Sequence, residues 1–338
     1  MIPLKIGIAG FGKMGQIRAD EIVKNSSTTL IAVFEQYGEV PSDKYKDIIH
    51  CTSYSELLEQ DLDAVFICAF NDVAVSYTTQ ALKRGLHVFC EKPPAHTVKE
   101  LQKVLEIEEE TNLVLKYGFN HRLHYSVIEA KRLIDADVMG KLLWIRGVYG
   151  KAGSIDYEKN WRNYKKYSGG GILLDQGIHM LDLMCYFTNG DFEVLNAKLT
   201  NSFWDIEVED NAFITMQNKD EVIATMHSSA TQWKHKFLLE MEFENGYINL
   251  DGILSNSRSY APETLVTAKR EFEDITYAMG KPKETTTWFE NDDSWKLELD
   301  EFIDAILEGK KVQNGTSEDG LRALSLVEDI YKKSKFYE

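Results

Sequence analysis

The sequence predicts two domains in series: a doubly wound, parallel α/β domain over residues 1–120 and an α+β domain with a mainly antiparallel sheet over residues 121–338. Three observations predict this. From residue 4 to about 119, short apolar runs alternate with amphipathic helical stretches. Beyond residue 120, strand-like runs follow one another across turn-length links. With 338 residues, 43% of them hydrophobic, the chain can also fill two cores.

In the first half, "LKIGIAG" (4–10), "LIAVFE" (30–35), "DAVFICA" (63–69), "HVFCE" (87–91) and "LVLKYGF" (113–119) are continuous and rich in Val, Ile and Phe. Strands buried on both faces read this way. Between them, Ser53 to Glu56 and Thr97 to Glu100 each match a capping box, and Gly85 matches a helix stop. In the second half a helix is expected over 125–137, a strand over 142–150 and a helix near 171–187. Strand-like runs follow at 192–201, 211–218, 221–230, 236–252 and 263–272, with Asn218-Lys219-Asp220 and Glu244-Asn245-Gly246 as turns. Helices over 293–308 and 317–334 close the chain.

Composition removes several function classes. A net charge of −16 argues against sequence-independent nucleic-acid binding and against docking on anionic membranes. No apolar stretch approaches the ~20 residues that span a bilayer. The start, "MIPLKIGIAG", has no signal-peptide pattern. Cys51, Cys68, Cys90 and Cys185 form no C-x-x-C pair and mostly sit in apolar runs, as buried thiols in a reducing compartment do. A soluble, cytoplasmic protein is the expectation.

Three motifs carry chemistry. Gly10-x-Gly12-x-x-Gly15 follows a strand and opens a helix, the arrangement in which a backbone turn cradles a pyrophosphate at a helix N-terminus. Glu35 lies 20 residues after Gly15, where a carboxylate accepts from ribose hydroxyls and repels a 2′-phosphate. That favours NAD over NADP. Glu91-Lys92-Pro93 lies at the C-terminal end of a buried strand, the side on which open α/β sheets bind ligands. A lysine held there by Pro93 and Pro94 can stabilise charge on a reacting oxygen.

The third motif, "GGGILLDQGIHMLDL" (169–183), sets Asp175, His179 and Asp182 at helical spacings of four and three, on one face of an α-helix. His179 suits proton transfer, and Asp175 suits orienting its ring or binding a substrate hydroxyl. Asp182 reads as structural. No His or Cys cluster completes a metal site around them, and His121 and His124 read as the start of a cleft-facing helix rather than a ligand pair.

In this order, Gly10-Phe11-Gly12-Lys13-Met14-Gly15, Glu91-Lys92-Pro93 and Asp175-x-x-x-His179 after a glycine cluster resemble the glucose–fructose oxidoreductase/inositol dehydrogenase (Gfo/Idh/MocA) family, over essentially the whole chain. The resemblance implies a Rossmann domain, an NAD(P)-dependent dehydrogenase or reductase, and a secondary hydroxyl or keto carbon of a sugar, cyclitol or nucleotide-linked sugar as its target. It implies a large open C-terminal sheet used for homodimer or homotetramer assembly. Lys92 corresponds to the family lysine beside the nicotinamide, and Asp175 and His179 to its Asp and its proton-accepting His. The glycine-loop residues with Glu35, Asn71, Glu91 and Lys92 form the expected cofactor set. Asn120, His121 and Arg122 of "FNHR" and Trp161 and Arg162 of "KNWR" join Lys92, Asp175 and His179 as the expected substrate set, in an interdomain cleft.

One departure stands out: where many members have a Thr-Pro-Asn turn with a nearby His, "CAFNDVA" keeps Asn71 but has Phe70 and Ala74. Two rival functions fit the same fold, a non-catalytic dinucleotide-binding regulator and an NAD-assisted glycoside-cleaving enzyme. Regulators of this kind usually lack the lysine or histidine that this chain keeps. The basic stretch Arg146, Lys151, Arg162, Lys165 and Lys166 suits either an acidic sugar or a solvated loop.

Overall fold

In chain order the elements are β1 (Leu4–Ala9), α1 (Lys13–Lys24), β2 (Thr28–Phe34), β3 (Ile49–Cys51), α2 (Tyr54–Leu58), β4 (Ala64–Ile67), α3 (Asn71–Lys83), β5 (His87–Cys90), α4 (Val98–Thr111), β6 (Leu115–Tyr117), α5 (Tyr125–Asp135), β7 (Leu142–Gly150) and α6 (Lys165–Ser168). A π-helical turn (Leu173–Gly177) leads into α7 (Ile178–Thr188). Then come β8 (Phe192–Thr200), β9 (Asn211–Asn218), β10 (Ile223–Ser229), β11 (Lys236–Phe243), β12 (Gly246–Asp251), β13 (Glu263–Lys269), β14 (Glu284–Phe289), α8 (Ser294–Glu308) and α9 (Ser317–Ser334). The computed structural model describes residues 2–38, 40, 41, 44, 45, 47–255, 257–271 and 280–338. Among the described residues no helix is long and apolar enough to cross a membrane.

The chain divides into two compact units. The first holds residues 1–120, 166–169 and 295–324. Its six strands run parallel in the order β3-β2-β1-β4-β5-β6, the doubly wound dinucleotide-binding order. Helix ends follow the sequence signals: Ser53 accepts from the Glu56 amide, Thr97 and Glu100 form a capping box, and Gly85 follows α3 at φ 82°. The core joins Ile6, Ile8, Phe11, Phe66 and Phe89 to Leu299, Phe302 and Ile303 of α8. The sequence reading kept all of 121–338 in the second domain. The apolar face of α8 instead completes this first core.

The second unit holds residues 121–165, 170–294 and 325–338. Its eight strands follow the order β14-β13-β12-β11-β7-β10-β9-β8. β7 and β10 run parallel and the remaining pairs antiparallel. Alternating burial along β10, β11 and β12 gives the sheet one covered face. On that face α7, buried along most of its length, packs on β7, and α5 packs on β12 and β13.

Differences from the sequence reading are local. β3 and β14 were not anticipated, being short and polar: "IHC" and "ETTTWF" lack an apolar run. The run 236–252 divides at Glu244-Asn245 into β11 and β12. The run 263–272 ends as a strand at Lys269, and residue 272 lies outside the described residues.

Candidate active site

The first unit contributes the glycine loop between β1 and α1. Gly10 has φ 88°, and a Cβ there would lie 2.5 Å from the Cys68 and Ala69 backbone. A Cβ on Gly15 would lie 2.1 Å from the Gly10 carbonyl, whereas one on Gly12 meets nothing within 4 Å. The turn is thus tight on its inner side and open at Gly12. α1 starts with no side-chain cap and no acidic residue in its first turn, so its leading amides remain available to an anion. Phe11 is fully buried and offers the loop its backbone, while Lys13 is exposed and Met14 half-buried.

Glu35 is fixed beside this loop. One carboxylate oxygen accepts from the Phe11 amide at 2.5 Å and the other from Tyr37 at 2.9 Å, leaving lone pairs on both oxygens. An open glycine, uncapped helix amides and an anchored carboxylate together fit a dinucleotide's pyrophosphate and ribose. Phe70 stacks on Tyr37 with ring centroids 5.2 Å apart. Asn71 opens α3 and donates to the Ser168 carbonyl at 2.9 Å.

Lys92 is half-buried just beyond β5, and the Lys92–Pro93 peptide is cis. Glu91, expected in the cofactor set, accepts from Arg18 Nε at 2.8 Å. Arg18 also reaches Glu298 at 2.6 Å. Asn120 is buried at the start of a 3₁₀ turn.

The second unit gathers the other predicted residues around the π turn and α7. His179, 5% exposed, stacks on His121 with ring centroids 3.8 Å apart and planes 15° apart. His121 Nε2 lies 2.9 Å from the Tyr149 hydroxyl. Asp175 accepts from Lys151 at 2.9 Å and from Arg162 at 3.3 Å. The Arg162 guanidinium lies 4.4 Å from the Trp161 ring centre. Burial alone would lower the Lys151 ammonium, but the Asp175 carboxylate and the Tyr157 hydroxyl together outweigh it and the net shift is upward. Burial pushes the Tyr149 hydroxyl well above its usual range, and Tyr260 upward too, so both remain neutral hydrogen-bonding groups at neutral pH.

The segment is not one continuous α-helix: Asp175 lies in the π turn, whereas His179 and Asp182 lie on α7. Arg122, expected to bind substrate, is 3% exposed and forms a two-pronged pair with Asp182 at 2.6 and 2.8 Å. His124 turns to Glu263 at 3.0 Å, apart from the Tyr149 contact of His121. Among the described residues no group of three or more His, Cys, Asp or Glu side chains is placed to hold a metal.

The sequence reading missed Tyr149, Tyr260 and Gln176 and placed Lys151 only in a basic stretch open to an acidic sugar or to solvent. Gln176 donates to Tyr260 at 3.3 Å, and Tyr260 packs against Tyr149 with centroids 5.4 Å apart. Tyr149 was legible as an inward position at the end of β7. Tyr260 arrives from an irregular loop that carries no such signal.

Residues 4–119 match the model of an oxidoreductase family with an NAD-binding Rossmann fold, and residues 127–249 match that of the GFO/IDH/MocA C-terminal domain. Levoglucosan dehydrogenase of Pseudarthrobacter phenanthrenivorans is 31% identical over 144 residues, 42% of this chain and 37% of that protein. D-glucoside 3-dehydrogenase of Escherichia coli is 28% identical over 54% of both chains. These two matches span about a third to a half of the relatives' length. Inositol 2-dehydrogenase of Salmonella typhimurium is 22% identical across 95% of this chain and 91% of that one. Among solved structures, levoglucosan dehydrogenase with NADH and L-sorbose superposes with a TM-score of 0.86 at 19% identity, covering 99% of this chain and 97% of that one. A 3-ketoreductase from Actinomadura kijaniata with NADP and TDP-benzene gives 0.83 at 18% identity, covering 98% of each chain. Fold and sequence matches converge: the chain belongs to the Gfo/Idh/MocA oxidoreductase family.

Proposed function

We propose that this protein is an NAD-dependent oxidoreductase acting on a secondary hydroxyl of a neutral sugar or cyclitol. The observation that carries this reading is the polar cluster on and around α7, where His179 lies on His121 and Asp175 pairs with both Lys151 and Arg162. Because Lys151 and Arg162 each already have Asp175 as a carboxylate partner, and Arg146 has Glu240, the cluster suits uncharged hydroxyls better than a phosphate or uronate.

In this reading Gly10, Gly12 and Gly15, with the Lys13 and Met14 backbone, hold the pyrophosphate, while the Phe11 amide holds Glu35 beside them. Glu35 accepts from the adenosine ribose and disfavours a 2′-phosphate, while Asn71 supports the adjacent turn. When bound, NAD supplies the acceptor for the carbinol hydride. His179 takes the hydroxyl proton, and Lys92 donates to the oxygen and stabilises its developing charge. Asp175 accepts from a neighbouring hydroxyl, with Asn120, His121, Trp161 and Arg162 lining the sugar. Glu91 acts through its pair with Arg18, which fixes the residue preceding Lys92.

Relatives that carry the names levoglucosan, D-glucoside and inositol dehydrogenase support the substrate class. None of the four cysteines forms a disulfide, in keeping with a cytoplasmic protein. The uncovered face of the second sheet presents Trp144, Phe213 and Trp288, and we assign to it self-association as a homodimer or homotetramer.

The reading is tested by following nicotinamide reduction with NAD⁺ or NADP⁺ across neutral hexoses, glycosides, cyclitols and sugar phosphates. Turnover is expected with NAD⁺ and a neutral polyol. Turnover restricted to NADP⁺, or to phosphorylated sugars, would contradict the roles given to Glu35 and to the Asp175 cluster.

A further inference from the structure

We propose that Glu209 is a positioning residue for the segment that carries Asp175 and His179, holding residues 171–173 in place. Its link to catalysis rests on the reading of that segment as catalytic.

The Glu209 carboxylate is 1% exposed and takes four hydrogen bonds. Its two oxygens accept from the backbone amides of Gly171 and Leu173, each at 3.0 Å. The same oxygens accept from the Tyr331 hydroxyl at 2.9 Å and the Tyr337 hydroxyl at 2.7 Å. The Glu209 carbonyl also accepts from Ile172 at 3.1 Å. Three consecutive amides ahead of Asp175 are therefore tied to one residue.

Those amides stand at the start of a helical segment, where intrahelical acceptors are missing and negative charge is favoured. Glu209 comes from the strand-side chain just before β9, Tyr331 from α9 and Tyr337 from the residues after it. The glycine run is matched to this contact: a Cβ on Gly171 would lie 2.2 Å from the Glu209 carbonyl, and one on Gly170 2.1 Å from the Tyr331 hydroxyl. A glutamine at 209 keeps the size but turns one oxygen into a donor facing an amide donor, so it breaks part of the clamp without leaving a cavity.

The test compares wild type, Glu209→Gln and the double variant Tyr331→Phe/Tyr337→Phe by hydrogen–deuterium exchange of residues 169–183 and by steady-state kinetics. In Glu209→Gln, exchange over 169–183 is expected to speed up while the β4–β5 peptides keep wild-type rates. Its kcat is expected to fall about tenfold or more, the size of losing a charge-assisted hydrogen bond, with KM for the nucleotide within about twofold. The double variant, which keeps both amide bonds, should show a smaller change in exchange and kcat. Wild-type exchange in Glu209→Gln would overturn the proposal, as would wild-type kcat alongside loosened exchange. Should Glu209→Gln not fold, unchanged exchange in the double variant overturns it instead. If wild type oxidises no sugar at all, the catalytic reading fails, and the exchange arm still decides the positioning role.

Discussion

Arg18 is almost wholly buried, yet its guanidinium meets two carboxylates, Glu91 and Glu298, and lies 4.2 Å from the Phe89 ring centre and 4.6 Å from that of Trp295. Burial lifts the Glu298 carboxyl to about 7 against the pull of Arg18 and Lys116. A folded-state value above the unfolded one means that the native state holds the proton more tightly. This contribution to stability is full below the ordinary carboxylate range and is lost as pH rises through about 7. Glu298→Gln should therefore flatten the decline of the denaturation midpoint between pH 5 and 8; parallel slopes for variant and wild type would count against it. Residue identity alone could not show this group, because Arg18 and Glu298 are 280 positions apart. Asp182 was legible as structural from its apolar neighbours, but its partner Arg122 was not, since "FNHR" reads equally well as a ligand segment.

At the scale of elements, the parallel strands declared themselves because burial on both faces leaves continuous apolar runs. β3 and β14 were silent for the opposite reason: with few buried side chains they carry no pattern to read. The helix at 171–187 was legible as an element, but its π turn was not, since apolar spacing alone does not separate a π turn from an α turn over five residues. The glycine cluster before it announced a turn. The reason for it, close approach to Glu209, depends on a residue 38 positions away from Gly171. The second sheet's uncovered face supports a prediction of its own. Trp144 and Phe213 lie on that face through their register with β10. Wild type is expected to sediment as a dimer or tetramer and the double variant Trp144→Asp/Phe213→Asp as a monomer; an unchanged oligomer would remove the sheet from the interface.

For the whole molecule, one chain carries two kinds of site-building. The first unit offers backbone amides, an open glycine and an anchored carboxylate, a design suited to phosphates and ribose. The second offers a buried imidazole stack and an aspartate paired with two cations, suited to hydroxyl recognition and proton transfer. The order of motifs made both readable as types of site. The grouping of Lys151, Tyr149 and Tyr260 near Asp175 emerged from the fold, because strands and loops distant in sequence converge there. In the proposed function His179 moves the proton and Lys92 stabilises the oxygen in sugar oxidation. The most direct measurement is kcat for NAD⁺ reduction by wild type, Lys92→Ala and His179→Ala on a confirmed sugar substrate, with NADH affinity measured in parallel. Each variant is expected to keep NADH binding and to lose about a hundredfold or more in kcat. Wild-type kcat in both variants would contradict these roles.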